Sequence, residues 1–251
     1  MHRQHDITKQ ALDANRKKEL ELFCKELHLR FKNLAILDLA FHHRSYSNEN
    51  TVYQHYNNER LEFLGDSVLG LATAAFLYKN MENPEGDLSR IKSCVVSEET
   101  LARIAKEKMY INRYLVLGKG EELTGGREKK AILADAVEAV IGALYIDSGY
   151  SVAEKFVLNL IVPEIYAVKE DKGLKNYKSI LQEFYQRKYQ DNPQYELVNV
   201  SGPDHDRTFS VLVRLGNISY GPAEGKNKKS AEQAAAHEAC RALGIDAGLS
   251  S

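Results

Sequence analysis

The spacing of apolar residues changes once along this chain of 251 residues, and no other feature restricts its fold as strongly. From Leu20 to about Tyr166, apolar residues recur every three or four positions between short polar turns, which is typical of helices that bury one face. Pro163 and the polar residues 169–173 end this pattern and indicate a linker. Beyond the linker the spacing fits strands as well as helices. The sequence therefore predicts two domains of different architecture.

Five elements are predicted after the linker, in the order helix, three strands, helix: residues 177–188, 195–200, 207–215, 217–220 and 231–243. The predicted fold class is multidomain: an all-helical domain over 19–168, the linker over 169–174, and a small α+β domain ordered α-β-β-β-α over 175–245. Residues 1–18 are polar and charged, so we predict a loosely ordered extension there.

Composition narrows the class of protein without naming a function. The chain is 43% hydrophobic, with 34 basic and 35 acidic residues, which excludes a disordered chain and gives no overall basic charge to indicate nucleic acid. The longest apolar run, residues 68–78, is too short to cross a bilayer, and no signal peptide is visible at the start. Three scattered cysteines without CxxC spacing argue against disulfides or a zinc site. We expect a cytoplasmic protein with no membrane partner.

Carboxylates occur in two helical segments that are otherwise largely apolar. Glu59, Glu62 and Asp66 share one helix face, and none has Lys or Arg three or four positions away in its segment. Asp135 and Glu138 share one face of residues 131–145, a segment without a basic residue. A single helix of this kind is as easily explained by an acidic stripe in contact with water, but two such helices favour convergence. Nearby glycines would let the helices approach closely.

Four converging carboxylates would form an oxygen-rich site for Mg²⁺ or Mn²⁺. Zinc is disfavoured because neither segment contains His or Cys. A magnesium ion on such a cluster usually serves phosphate chemistry.

A basic cluster precedes the alanine-rich helix of the second domain. Lys226, Lys228 and Lys229, together with the backbone N–H groups of a helix start, predict a phosphate-binding site. His205 lies in the loop between the first two strands and is a possible contact to a nucleic-acid groove. Duplex RNA is recognised mainly by shape and phosphates, so a small module with one lysine cluster is sufficient. The alternative is a solvated basic cap that only aids solubility.

Several segments resemble one known family. Residues 58–67, NERLEFLGDS, are similar to the signature motif of bacterial ribonuclease III, and residues 43–46, 85–89 and 133–139 resemble its HRSY, EGxLS and LADxxEA elements. The C-terminal part resembles a double-stranded RNA-binding domain. The resemblance spans about 20–245, and it departs at His42, where the family commonly has Thr, and in the polar N-terminal extension.

The resemblance implies an endoribonuclease that cuts both strands of duplex RNA by Mg²⁺-dependent hydrolysis, leaving 5′-phosphate and 3′-hydroxyl ends. It implies that Glu62, Asp66, Asp135 and Glu138 bind Mg²⁺, for which Mn²⁺ can substitute, with Asp66 and Glu138 as catalytic residues. Glu59 then has a structural role near the interface of a homodimer. The RNA-binding residues it implies are Lys226, Lys228, Lys229, His205 and Gln182.

In bacteria such an enzyme processes ribosomal RNA precursors and some messenger and transfer RNAs. Two alternatives come from other classes: a protein that binds duplex RNA without cutting it, and a helical metal-dependent phosphohydrolase acting on nucleotides. The second leaves the C-terminal module unexplained.

Overall fold

The computed structural model describes residues 12–50, 56–170, 177–203 and 206–245. The chain divides into two compact units, residues 1–170 and 171–251, each with its own apolar core. We call them the helical unit and the α+β unit. This arrangement confirms the predicted fold class.

The helical unit contains two short 3₁₀ turns, at residues 111–113 and 126–128, and nine described α-helices: α1 (Ala14–Glu26), α2 (Leu34–Ala40), α3 (Arg44–Glu49), α4 (Glu59–Asn80), α5 (Glu85–Val95), α6 (Glu98–Glu107), α7 (Lys119–Leu123), α8 (Lys130–Ser148) and α9 (Tyr150–Glu170). The α+β unit contains α10 (Tyr177–Tyr189), β1 (Gln194–Ser201), β2 (Thr208–Leu215), β3 (Ile218–Gly225) and α11 (Lys228–Ala242).

Helices α4 and α8 form the centre of the helical unit, where they cross at two glycines. A Cβ atom added to Gly65 would overlap the carbonyl oxygen of Glu138, and one added to Gly142 would overlap that of Leu61. Only glycine permits backbones to approach this closely. The crossing therefore brings the carboxylate-bearing face of α4 against the carboxylate-bearing part of α8.

Helix α4 is also long and apolar enough, by length and composition, to cross a membrane. The core helix of a folded domain meets the same criteria, and α4 packs against α8, α9 and α5 in the core of its unit. We therefore interpret α4 as a core helix.

Two predictions about the ends of the helical domain are wrong. Helix α9 continues through Pro163 to Glu170, because Val157, Ile161 and Ile165 bury one continuous face on both sides of the proline. At the other end, Asp13 caps α1 by accepting from the backbone N–H groups of Asn15 and Arg16, so residues 14–18 are helical rather than loosely ordered.

The remaining parts of the predicted extension and linker, residues 1–11 and 171–174, lie outside the described residues.

The sheet of the α+β unit is antiparallel in the order β1-β2-β3. Val211, Val213 and Leu215 of β2 are buried, as their alternation predicts, and pack in one core with α10 and α11. Strand β3 extends five residues beyond the predicted end at Tyr220. Gly221 and Pro222 together face Leu212 there in a bulge of this edge strand, which accommodates a proline because no N–H is required of it.

Candidate metal centre

Three carboxylates meet where α4 crosses α8, and we call this group the carboxylate centre, or the centre. Glu62 of α4 and Asp135 and Glu138 of α8 each present an oxygen, and these oxygens all lie within 4.8 Å of one another. All three residues are partly buried. The glycine crossing explains the convergence, since Gly65 sits directly against the backbone of Glu138.

Asp66, the fourth predicted ligand, is more exposed and is not a member of this close group. Its charge nevertheless reaches the centre, because Asp66 is the acid that most strongly raises the pKa of Glu138. The structure therefore brings three of the four predicted carboxylates together and places the fourth at the rim.

The carboxylates of the centre repel one another. Burial, followed by repulsion from Asp66, Glu62 and Asp135, raises the pKa of Glu138 to about 8. Burial and the neighbouring Asp135 likewise raise the pKa of Glu62. Among the described residues, none of the four carboxylates forms an ion pair with Lys, Arg or His. Oxygen ligands that repel one another in this way fit a hard divalent cation.

Glu59 lies apart from the close group, at the exposed start of α4. Its carboxylate faces the Arg44 guanidinium, with Oε1 and Nη1 3.4 Å apart, and accepts a hydrogen bond from Asn57. As predicted, Glu59 has no basic partner within its own helix. The fold nevertheless provides one, because Arg44 of the neighbouring helix α3 lies beside it. A role for Glu59 at a subunit interface stays a prediction.

A cavity of about 580 Å³ adjoins the centre, and sequence reasoning did not identify it. Glu59, Glu62 and Asp135 line it, as do Arg44 and Lys129. Its other lining residues are His43, Ser45, Asn48, Asn58, Glu121, Ala131 and Ile132. The sequence feature that could have indicated this cavity is the HRSY segment, which contributes His43, Arg44 and Ser45 to its lining.

The predicted RNA-binding lysines lie at the start of α11, with a different placement from that expected. Asn227 is the N-cap and forms a capping box with Ser230, so Lys228 and Lys229 belong to the first helical turn rather than preceding it. This turn contains no acidic residue. Cations are unfavourable at a helix N-terminus, so their presence fits an anionic ligand.

Lys226 precedes the cap, and its Nζ lies 2.6 Å from Asp206 Oδ1. In the part of the chain that the structure describes, Lys228 and Lys229 form no ion pair. Gln182 is exposed on α10, and His205 lies outside the described residues.

Comparison with known protein families matches both units. Residues 33–165 match the family described as Ribonuclease-III-like, and residues 177–243 match the double-stranded RNA binding motif. The chain is 58% identical to Ribonuclease 3 of Treponema denticola, over 91% of this chain and 92% of that protein. It is 46% identical to Ribonuclease 3 of Borreliella burgdorferi, over 93% of this chain and 95% of that protein.

The solved structures include a nuclease domain of ribonuclease III from Campylobacter jejuni that is similar to the helical unit. It has 37% sequence identity and a TM-score of 0.53, and the match covers 58% of this chain and 97% of that one.

A helical unit with a carboxylate centre, followed by a unit that matches a duplex-RNA-binding motif, defines a nuclease of double-stranded RNA. The chain belongs to the ribonuclease III family, and it is an endoribonuclease. The alternative of a protein that only binds duplex RNA is not favoured.

Proposed function

We propose that this endoribonuclease hydrolyses phosphodiester bonds in both strands of duplex RNA with Mg²⁺ held by Glu62, Asp66, Asp135 and Glu138, leaving 5′-phosphate and 3′-hydroxyl ends. The observation that carries the proposal is the convergence of three carboxylate oxygens within 4.8 Å at a glycine crossing. Mn²⁺ prefers the same oxygen ligands and is expected to substitute.

The bound cation supplies activation of water and stabilisation of the leaving oxygen. Glu62, Asp135 and Glu138 would hold it from two helices, and Asp66 would add negative charge at the rim. Glu138 has to lose a proton to act as a ligand, because its pKa is raised to about 8. The affinity for Mg²⁺ should therefore rise with pH between neutrality and about pH 8.

The α+β unit is proposed to hold the duplex while the helical unit cuts it. Lys226, Lys228 and Lys229 would contact phosphates, and Gln182 and His205 would contact the groove. Phosphate contacts give affinity without base recognition. This division of labour means that the loss of a carboxylate should stop cleavage and spare binding.

The proposed assembly is a homodimer, with one centre for each strand. Phe63, Leu71 and Tyr78 of α4 are 78%, 57% and 82% exposed and lie within an arc of about 80° on one face of the helix. Exposed apolar stripes of this kind mark protein interfaces. The structure of the Campylobacter jejuni nuclease domain is described in terms of a region involved in dimer formation. Replacing Phe63 by Glu should shift the sedimentation of the protein from dimer to monomer, whereas unchanged sedimentation would contradict this interface.

The expected biological role is processing of ribosomal RNA precursors and of some messenger and transfer RNAs in the cytoplasm. The family membership supports this role.

The test is cleavage of a labelled RNA duplex with and without Mg²⁺, with single-stranded RNA and nucleotides as control substrates. We expect Glu138→Gln to abolish cleavage of the duplex and to leave its binding within about twofold of wild type, since the lysines are untouched. The matched control is Glu82→Gln, an exposed acid just beyond α4, which should cut normally. Cleavage by Glu138→Gln at a rate near wild type would refute the assignment of the metal ligands.

A further inference from the structure

The cavity beside the centre contains two cations that the proposed cleavage chemistry does not use. Arg44 begins α3 and Lys129 is the N-cap residue of α8, and both line the cavity that Glu62 and Asp135 also line. The cavity therefore opens directly onto two of the proposed metal ligands. The two basic side chains and these two ligands thus border the same space.

The wall that carries Arg44 is fixed to the neighbouring helix α7 by hydrogen bonds to backbone groups. The Glu49 carboxylate accepts from the N–H groups of Lys119 at 2.7 Å and Gly120 at 3.1 Å. The Ser45 hydroxyl accepts from the Gly118 N–H at 2.9 Å. A Cβ at Gly118 would press against Glu49 and the Ser45 carbonyl, so the contact requires glycine. The cavity wall is thus organised before any ligand arrives.

Both cations are held by acids that an anionic ligand could replace. Arg44 meets Glu59 at 3.4 Å, with both side chains more than half exposed. Lys129 meets Glu121 at 2.6 Å and Thr124 Oγ1 at 3.2 Å, with its own side chain about half exposed and that of Glu121 20% exposed. An exposed pair such as Arg44–Glu59 contributes little to stability, whereas Arg binds a phosphate through two parallel hydrogen bonds.

Arg44 also lies within electrostatic reach of the centre. It lines the same cavity as Glu62 and Asp135, and its guanidinium meets Glu59, which lies three residues before Glu62 on α4. The guanidinium is therefore placed to bind a group next to the one held at the carboxylates.

We propose that this cavity is a subsite for the backbone phosphate adjoining the scissile one, with Arg44 as its bidentate contact and Lys129 as its second contact. The subsite rests on the proposed function, because Glu62 and Asp135 must be engaged by a cation before a phosphate can enter beside them. Arg44 and Lys129 are positioning residues that fix the register of the strand over the centre.

The first test compares variants in Mg²⁺-dependent cleavage of a duplex, with kcat and KM determined separately. Arg44→Ala and Lys129→Ala should each lower kcat/KM about ten- to a hundredfold. The matched controls are Arg60→Ala, an exposed arginine of α4, and Lys130→Ala, the next residue along, which is paired with Glu99. Kinetics of Arg44→Ala and Lys129→Ala equal to these controls would overturn the subsite.

The second test uses wild-type protein, so it does not depend on any variant folding. Duplexes are prepared with one methylphosphonate, an uncharged linkage, at successive positions around the cleavage site. One position next to the scissile bond should reduce cleavage by about the same factor as Arg44→Ala, and on that substrate wild type and Arg44→Ala should cut equally. No sensitive position, or losses that multiply, would overturn the proposal.

The two hypotheses fail in distinguishable ways. If wild-type protein does not cut the unmodified duplex with Mg²⁺, the proposed function is wrong and the subsite is rejected with it. If wild type cuts and the subsite variants cut equally well, only the subsite is wrong. Circular dichroism verifies the fold of each variant, and Arg44→Lys, which keeps the charge but loses the bidentate contact, should have an intermediate rate.

Discussion

Glu62, Asp135 and Glu138 are partly buried between α4 and α8, where they repel one another, whereas the lysines at the start of α11 are exposed to solvent. Both groups are like-charged clusters proposed to bind a partner of opposite sign. Burial makes the repulsion between the carboxylates strong, since little water screens it. Solvent screens the lysines, so each should act almost independently. Replacing one carboxylate should therefore alter the whole first site, whereas replacing one lysine should remove only the contribution of that lysine to binding.

The largest expected effect comes from separating the helices that build the carboxylate centre. Gly65→Ala should lower the free energy of unfolding by about 3 kcal/mol, because the new methyl group meets the Glu138 carbonyl oxygen. Gly86→Ala is the control, since a Cβ there meets nothing within 4 Å and alanine favours the helix. Urea unfolding measures both. Equal stability of the two variants would show that α4 and α8 tolerate a wider spacing at their crossing. The close crossing would then not be what builds the carboxylate centre.

A smaller effect on stability is expected from pH in the absence of metal. The folded protein keeps a proton on Glu138 up to about pH 8, whereas the unfolded chain loses it near the ordinary glutamate pKa of 4.5. Between these values the folded state binds more protons, so its stability falls as pH rises. After allowance for partial solvent screening, we expect a loss of about 2 kcal/mol between pH 5 and pH 8.

Thermal unfolding of wild type and of Glu138→Gln across this range measures that loss. The variant should lack the part due to Glu138, and Mg²⁺ should restore the stability of wild type at pH 8. A wild-type profile that matches the variant would mean that Glu138 ionises normally.

The smallest effects concern the lysines, taken one at a time. Lys228→Ala and Lys229→Ala should each reduce the slope of log K against log salt by about one and weaken all duplex sequences alike. Asp206→Ala should strengthen binding by less than about fivefold, because it frees Lys226 from an exposed ion pair. Filter binding at three salt concentrations distinguishes these outcomes. Unchanged slopes would identify the lysines as a solvated cap.

Local sequence spacing predicted most of the centre. Glu62 and Asp66, like Asp135 and Glu138, share a helix face whatever the rest of the fold does. The depth of each carboxylate could not be predicted, because it depends on how α4 packs in the fold, and Asp66 proved to be the exposed member while Glu62 and Glu138 are partly buried.

Contacts between segments that are distant in the sequence could not be predicted either, because they depend on the fold. Arg44 and Glu59 are brought together by the fold, as are Lys129 and Glu121, and no periodicity within one helix indicates such a pair. The predicted end of the helical pattern at Pro163 was wrong. A proline usually ends a helix, but here packing on both sides of the proline continues α9.

Arg16, in the first helix, bears on how far the chain could be shortened. Its guanidinium lies 2.6 Å from the buried Asp38 carboxylate and donates to the Tyr114 carbonyl at 2.8 Å. Burial raises the pKa of Asp38, but hydrogen bonds and charge from His42 and Arg16 outweigh it and hold the pKa below its usual value. The family match begins only at residue 33. A protein trimmed to that boundary would leave an interior anion without its guanidinium, at a cost of about 3 kcal/mol. The segment that the family description matches is therefore shorter than the segment needed to pair this buried charge.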